Sequence, residues 1–265
     1  MKLIIYEGEK TEPKIFQNIK ENLFNEDTLE IPIEAAYGGN IYSLYKECQS
    51  DPDLDLVAII KESIRRKNNS KTITMFSKFL QLSVDDFSEI YLFFDCDIHH
   101  HPSKQNEQSY LKTNLFELEE MLTYFDEETE KGKLYISYPM IEALIEVPKD
   151  EDFLSRCKIV VEDFRSYKKQ TCELYASATD FSRYTQTTWK KLCQHNIKKA
   201  NFIISQNYVL PSYNVFTTKC RQLDIFKYQK ILLLNENKVY IISAIPLFLV
   251  EYFGRSCWQE NGLLS

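Results

Sequence analysis

The alternation of apolar and polar positions predicts strands separated by helices in the first half of the chain. Residues 2–6 (KLIIY) and 89–95 (EIYLFFD) are short apolar runs of the kind that form buried strands. Residues 29–36 alternate between apolar and polar, and residues 133–138 form a further apolar run, so two more strands are expected there. Apolar residues recur at helical spacing in between. The helices predicted on this basis, some of them with a capping residue or proline at the start, are 11–23, 40–47, 54–66, 72–82, 103–124 and 139–146. This order predicts an α/β fold with a largely parallel, Rossmann-like central sheet flanked by helices.

The pattern changes beyond about residue 150. Residues 151–206 are polar and mostly helical in their spacing, and residues 224–254 predict a helical or mixed segment. A short hairpin is expected at 229–243, around Asn235-Glu236-Asn237. We therefore expect two domains: residues 1–150 form the α/β domain, and residues 151–265 form a mainly helical C-terminal elaboration that binds a partner or substrate. Only 6 Gly and 8 Pro occur, which argues against long flexible linkers.

The overall charge limits the ways in which the chain can bind nucleic acid. Its formal net charge is −7, which is unfavourable for a protein that coats nucleic acid, because phosphate contacts require Lys and Arg. Local basic stretches occur at 61–71 (KESIRRKNNSK) and 190–199 (KKLCQHNIKK), and each is either a solvated helix face or a phosphate contact. A second region has aromatic residues among cations, and it predicts either core packing or a stacking surface for nucleic acid. Its residues are Tyr167, Lys168, Lys169, Tyr175, Arg183, Tyr184, Trp189 and Lys190.

Cysteine usage and hydropathy indicate the compartment. None of the seven cysteines is spaced as CxxC, so a zinc site has little support. The chain begins without a signal-peptide pattern, and reduced, buried thiols in a cytoplasmic protein are therefore expected. The apolar stretch 241–253 is too short, and too interrupted by Pro246 and Glu251, to span a bilayer, so we expect no association with a membrane.

Three acidic residues follow the two most apolar predicted strands. Glu7 comes directly after residues 2–6, and Asp95 and Asp97 end the run at 89–95 or follow it. Ligands of parallel α/β sheets bind at the carboxyl ends of the strands, so these carboxylates are expected to meet at one edge. Crowded like charges require a neutralising cation, and carboxylate oxygens suit Mg²⁺ (or Mn²⁺). The sequence therefore predicts a divalent metal site that acts on a phosphodiester.

The same residues carry a resemblance to a known family. IIYEGEKTEPKIF at 4–16 resembles the opening of the TOPRIM domain, the fold shared by topoisomerases, DnaG-type primases and nucleases related to the OLD family. In that fold a strand is followed by a Glu-Gly pair and a later strand ends in Asp-x-Asp. The corresponding residues are Glu7-Gly8 and Asp95-Cys96-Asp97.

A longer match points to one branch of that superfamily. EGEKTEP followed by an aromatic residue is similar to the RloB-like branch, and ISYPMIEALIE at 136–146 resembles its third segment, in which a Ser-x-Pro turn precedes a helix that carries an acid. The matching acid is Glu142, a fourth candidate metal ligand. Tyr138 and Ile141 depart from the usual pattern of that segment, in which a small polar residue and an aromatic residue stand at these positions.

The resemblance covers roughly residues 1–150 and implies a Mg²⁺-dependent nuclease of an anti-phage defence system. It also implies an ATPase partner protein and a nucleic-acid substrate, either DNA or RNA, with transfer RNA among the RNA targets. Two alternatives stay open. The chain is a non-catalytic TOPRIM-fold subunit that binds the ATPase, or it performs nucleotidyl transfer of the primase type. Assembly into a homo-oligomer is compatible with each.

Each candidate residue has an expected role. Glu7 binds metal or acts as a general acid or base, while Asp95 and Asp97 hold the ion. Gly8 allows the backbone to approach a phosphate closely, and Lys10 is either a phosphate-binding cation or a solvated lysine. The adjacent run His99, His100 and His101 is either an exposed loop or an additional donor to metal or phosphate.

Overall fold

A computed structural model describes residues 1–24, 30–50, 55–98, 107–129 and 131–265, without the side chains of 107–110. The chain divides into two compact units, Met1–Tyr135 and Ile136–Ser265. The expected domains 1–150 and 151–265 stay a prediction. Glu7, Asp95 and Asp97 belong to the first unit, and Glu142 belongs to the second.

The central sheet has five strands in the order β2-β1-β3-β5-β4. These strands are β1 (Lys2–Tyr6), β2 (Ile33–Ala36), β3 (Glu89–Asp95), β4 (Asp126–Glu127) and β5 (Gly132–Ser137). β1 pairs in parallel with both β2 and β3, whereas the short β4 is antiparallel to β5. The expected α/β class with a mainly parallel sheet is confirmed, and the topology is compatible with a Rossmann-like fold. The apolar runs at 2–6 and 89–95 form β1 and β3 over the predicted residues.

Helices of the first unit flank this sheet. They are α1 (Glu12–Leu23), α2 (Ile41–Ser50), α3 (Leu56–Arg66), α4 (Ser70–Met75), α5 (Ser77–Leu80) and α6 (Glu107–Tyr124). Side-chain caps fix several of their starts: Asn40 Oδ1 accepts a hydrogen bond from Ser43 N at 3.0 Å, and Asp55 Oδ1 accepts one from Ala58 N at 2.7 Å. The helices predicted at 11–23, 40–47, 54–66 and 103–124 correspond to α1, α2, α3 and α6, although the predicted starts at 54 and 103 lie outside the described residues. The single helix predicted at 72–82 is instead two short helices, α4 and α5, separated at Phe76.

Aromatic side chains pack the first unit together. Tyr6 stacks on Phe16 of α1 with ring centroids 5.7 Å apart, and Phe16 meets the edge of Phe93 at 5.0 Å. Phe93 in turn stacks on Tyr135 at 5.4 Å. Burial of such rings contributes about 1.5–3 kcal/mol each relative to exposure. This packing ties β1, β3 and α1 together directly beneath the end of β1, so the residues that follow β1 start from a rigid base.

The second unit is mainly helical, as expected. Its elements are α7 (Phe153–Arg156), β6 (Lys158–Val160), α8 (Phe164–Leu174), α9 (Gln186–Ser205), α10 (Tyr213–Lys219), α11 (Gln222–Glu236), β7 (Lys238–Tyr240) and α12 (Ala244–Phe253). β6 and β7 form a two-stranded antiparallel sheet. The predicted helix at 139–146 is instead a short 3-10 helix at Ile141–Leu144, preceded by a cis peptide bond between Tyr138 and Pro139.

The predicted hairpin at 229–243 is wrong. Residues up to Glu236 belong to α11, and Asn237 ends the helix in the left-handed region at φ 54° with its N–H donating to Leu233 O. Asn tolerates that conformation, which suits a helix end as well as a turn. The chain then pairs β7 with β6 rather than with the segment before it, because Lys238 and Tyr240 take Val160 and Lys158 as partners.

Burial decides between the two interpretations for three of the four aromatic residues named in the second unit, whereas the fourth, Tyr175, is half-buried and both interpretations stay open for it. Tyr167, Tyr184 and Trp189 are all buried, so their rings contribute to the core and are not exposed for stacking on bases. Among the described residues, the helices are too short or too polar to cross a membrane.

Candidate active site at the carboxyl ends of strands β1 and β3

The strand order places Glu7 and Asp95 at a point where the connections of the sheet change direction. From β1 the chain passes to β2 on one side and later returns to β3 on the other side, so neighbouring connections leave β1 and β3 in opposite directions. Ligands of open α/β sheets bind at such a switch point, outside the carboxyl ends of the strands. Glu7 N donates to Phe93 O at 3.0 Å, which continues the ladder between the strands by one residue. The sheet itself thus sets Glu7 beside the end of β3.

Three backbone groups hold Glu7 in place. Besides its bond to Phe93, its carboxylate Oε2 accepts a hydrogen bond from Asp95 N at 3.1 Å, and its carbonyl oxygen accepts one from Gly38 N at 2.8 Å. The side chain is half-buried. Its orientation across the end of β3 is therefore fixed by the main chain, which is a rigid way to position a reactive group.

The electrostatic surroundings of Glu7 are unusual for a surface glutamate. Burial, together with the charges of Glu12 and Asp97, raises the pKa of Glu7 to about 7, although the N–H of Asp95 acts in the opposite direction. A carboxyl group with a pKa near neutrality can both accept and donate a proton at physiological pH. Perturbed carboxyl groups in a cleft are typical of functional sites.

Asp97 is near enough to Glu7 for its charge to raise the pKa of Glu7, and it has a polar partner of its own. Its Oδ2 accepts a hydrogen bond from Asn40 Nδ2 at 3.2 Å, and Asn40 uses its other side-chain atom to cap α2. Between the two aspartates, Cys96 is buried as expected, and that burial raises the pKa of its thiol. Asn40 is a site residue that the sequence prediction had treated only as a cap, and nothing in the local pattern indicates its second contact.

Glu12 is a further carboxylate of the site that the sequence interpretation did not assign there. It is buried at the first position of α1, and its Oε1 accepts a hydrogen bond from Gly8 N at 2.9 Å. A Cβ on Gly8 would lie 2.7 Å from Glu12 Oε2, so the small residue makes room for this carboxylate. The expected approach of a phosphate to Gly8 stays a prediction, and the N–H of Gly8 is already bonded. The sequence signal was the third acid of the EGEKTE string, which spans residues 7–12.

Lys67 connects the loop that follows β1 with the residues that follow β2. Its Nζ donates to Glu9 Oε1 at 2.7 Å and to Gly38 O at 2.9 Å, and Thr72 Oγ1 donates to Glu9 Oε2 at 3.0 Å. We call this arrangement of Glu9, Gly38, Lys67 and Thr72 the Glu9 clamp. Burial acts to raise the pKa of Glu9, but the bonds from Lys67 and Thr72 and the charge of Lys10 outweigh it and lower the pKa. The basic stretch at 61–71 therefore holds the loop after β1, a role that its charge alone did not indicate.

The remaining candidates differ in where they lie. Lys10 is exposed in the same loop, next to Glu9. Glu142 is buried in the second unit and pairs with Lys168 Nζ at 2.6 Å, and its expected role as a metal ligand stays a prediction. His99, His100 and His101 lie outside the described residues.

The donor chemistry of the site suits a hard divalent cation. Glu7, Asp95 and Asp97 offer only oxygen atoms. Burial is the largest cause of the raised pKa of Glu7, and a cation would relieve the part that the charges of Glu12 and Asp97 add. Within the described ranges, no group of three or more His, Cys, Asp or Glu side chains is arranged to hold an ion. Mg²⁺ binds through one or two carboxylates and keeps several waters, so its binding does not require a complete protein cage.

Comparison with known proteins adds no relative. No protein-family model, no curated protein and no solved structure matches the chain.

Proposed function

We propose that the protein is a Mg²⁺- or Mn²⁺-dependent nuclease of the TOPRIM type that hydrolyses phosphodiester bonds in DNA or RNA. The observation that supports this most is the position of Glu7, whose carboxylate lies across the ends of β1 and β3 with a pKa of about 7 and with Asp97 beside it. As an effector of an anti-phage defence system, the protein would act together with an ATPase partner in the cytoplasm.

The proposed roles follow from the contacts at the site. Asp95 and Asp97 hold the cation, and the hydrogen bond from Asn40 orients the carboxylate of Asp97. Glu7 moves a proton at its carboxylate, because its pKa allows both protonation states near pH 7. Lys10 stabilises the charge that develops on the phosphate. A bound divalent cation would withdraw charge from the scissile phosphate and lower the pKa of a bound water.

Cleavage assays test this assignment. Plasmid DNA, a single-stranded oligonucleotide and transfer RNA are incubated with the protein in Mg²⁺ or Mn²⁺, with its neighbouring ATPase present. Glu7→Gln and Asp97→Asn should each reduce the cleavage rate about a hundredfold or more, since even residues that only support metal ligands contribute about 10- to 100-fold. Asp85→Asn is the matched control, because Asp85 is exposed and lies away from the ends of β1 and β3, in the segment that precedes β3.

The outcomes distinguish a wrong assignment of the site residues from an absence of nuclease activity. If all three variants cleave at the wild-type rate, the assigned carboxylates do not carry the reaction. If Asp85→Asn loses as much activity as Glu7→Gln, the losses reflect folding rather than chemistry. A wild-type protein that cleaves none of the substrates under any of these conditions would contradict the proposed enzyme.

A second candidate, the non-catalytic subunit, is favoured by an apolar row on α11. Tyr228, Ile231 and Leu234 are spaced three residues apart, which places them on one face of the helix, and they are 39%, 57% and 45% exposed. Exposed apolar residues in a row are typical of protein-interaction surfaces. On this proposal the α11 row binds the ATPase.

Comparison of two variants in cells discriminates between the candidates. Cells that carry the protein with its neighbouring genes are challenged with phage, and plaques are counted. Loss of protection by Glu7→Gln with retention by Ile231→Lys supports the enzyme. The reverse result supports the binding subunit, provided that Ile231→Lys also no longer co-purifies with the ATPase.

A further inference from the structure

The cations of the basic stretch at 61–71 fall into two groups. Lys61 Nζ donates to Leu82 O, Arg66 pairs with Glu47 at 3.0 Å, and Lys67 belongs to the Glu9 clamp. These three side chains are committed to contacts within the fold. Arg65 and Lys71, in contrast, are exposed, and in the described part of the chain neither has an ion pair. The stretch thus keeps some of its positive charge available at the surface.

The Glu9 clamp brings one of these free cations next to the candidate site. Thr72 Oγ1 bonds Glu9 Oε2 at 3.0 Å, and Lys71 immediately precedes Thr72. Lys10 immediately follows Glu9 and is also exposed. Since consecutive Cα atoms are about 3.8 Å apart, each lysine lies one residue from a partner of the hydrogen bond between Thr72 and Glu9. Lys71 and Lys10 therefore both lie beside the loop that follows Glu7. Within the described residues neither forms an ion pair, although the charge of Lys10 acts on Glu9.

We propose that Lys10 and Lys71 form a phosphate-binding edge that holds the backbone of a nucleic acid beside the candidate active site. This inference rests on the proposed function and names how its substrate is held. An acidic protein repels nucleic acid in general, so binding requires cations gathered at one place and free of internal partners. Lys71 meets that requirement, whereas Lys67, four residues earlier, is used to hold the loop.

The size of the effect follows from counterion release. Each phosphate contact on a single strand changes the slope of log K against log salt by about 0.7, so loss of two contacts should make the slope shallower by about 1.4. The same relation gives a factor of about 5 per contact between 1 M and 0.1 M salt. Removal of both lysines should therefore weaken binding about 25-fold at 0.1 M salt.

Fluorescence anisotropy tests the phosphate-binding edge without turnover. Labelled single-stranded DNA and RNA of one sequence are titrated in EDTA at several salt concentrations with wild type and with the double variant Lys10→Gln/Lys71→Gln. The control is Lys149→Gln/Lys219→Gln, which removes the same charge from exposed positions of the second unit that lie outside both basic stretches. The expected result is the weaker binding and shallower slope for the first double variant only. The DNA and RNA arms then show which strand is preferred.

Several results would overturn the inference. Equal losses in the two double variants would show that only net charge matters, and an unchanged slope for Lys10→Gln/Lys71→Gln would show that these lysines contact no phosphate. Absence of wild-type binding in EDTA would also refute it. The proposed hydrolysis fails separately. If wild type binds with the expected salt slope but does not cleave when Mg²⁺ or Mn²⁺ and the neighbouring ATPase are added, the phosphate-binding edge stands and the proposed nuclease is refuted.

Discussion

His195 should make the folded protein sensitive to acid. Its side chain is 5% exposed, and its Nδ1 lies 2.6 Å from the hydroxyl group of Tyr208, with which it shares a hydrogen bond. Burial and the charges of Lys199 and Lys198 lower the pKa of His195 to about 2, although the backbone of Glu146 acts in the opposite direction. The imidazole is therefore neutral in the folded state from pH 5 to pH 8.

The sign and size of the effect follow from linkage. In the unfolded chain a histidine has a pKa of about 6.5, so below that pH the unfolded state binds a proton that the folded state does not. Unfolding is thereby favoured as pH falls, and the free energy of unfolding drops by about 0.8 kcal/mol at pH 6 and about 2 kcal/mol at pH 5 relative to pH 8. The loss begins near pH 6.5 and approaches about 1.4 kcal/mol per pH unit, because the folded pKa is far lower.

Urea unfolding of wild type and His195→Gln at pH 5, 6 and 8 measures this contribution. Glutamine can keep a hydrogen bond to Tyr208 but does not titrate, and other groups titrate alike in both proteins, so they cancel in the difference. Because glutamine packs less well than histidine in this position, the variant should have a lower free energy of unfolding than wild type at pH 8. At pH 5 this difference should shift by about 2 kcal/mol in favour of the variant, since only wild type loses stability through His195. A difference between the two proteins that stays constant from pH 8 to pH 5 would refute the buried, neutral histidine.

Two further predictions concern the loop that follows β1. Glu12→Gln should lower the pKa of Glu7 below about 7, because one repelling charge is removed. The amide oxygen of glutamine still accepts the hydrogen bond from Gly8 N, and ¹³C carboxyl NMR titration of the metal-free protein measures the pKa. Lys67→Met should lower the free energy of unfolding by about 1 kcal/mol and reduce the cleavage rate, since the bonds to Glu9 and Gly38 are lost. Lys67→Arg should restore part of the stability and part of the cleavage rate, as measured by urea unfolding and by the cleavage assay.

The parts of the fold that sequence predicted well are those determined by local pattern. The runs at 2–6 and 89–95 are apolar over their whole length, and only a central strand buries both faces of so short a segment. The position of Glu7 after one and of Asp95 at the end of the other could then be combined with a general rule about parallel sheets. No contact needed to be known for that step.

The parts that sequence missed depend on residues far away in the chain. Asn237 could end a helix or turn a hairpin, and the choice follows from the pairing of β7 with β6, about 80 residues earlier. Lys67 could be a solvated cation, and its role follows from Glu9, which lies 58 positions before it. Glu12 suits the start of a helix by its charge alone, and only the packed structure shows that it is buried against Gly8.

The energetics of Glu7 argue for a function at the carboxyl ends of β1 and β3. A glutamate that served only solubility would point into water, where its pKa would be near 4.3. A half-buried position near Glu12 and Asp97 raises that pKa to about 7, and a shift of this size lowers stability by a few kcal/mol whenever the group is ionised. Backbone bonds from Gly38 and Asp95 nevertheless hold the residue there. Arrangements that lower the stability of a protein are typically retained at functional sites. The arrangement around Glu7 suits the binding of a cation or the transfer of a proton.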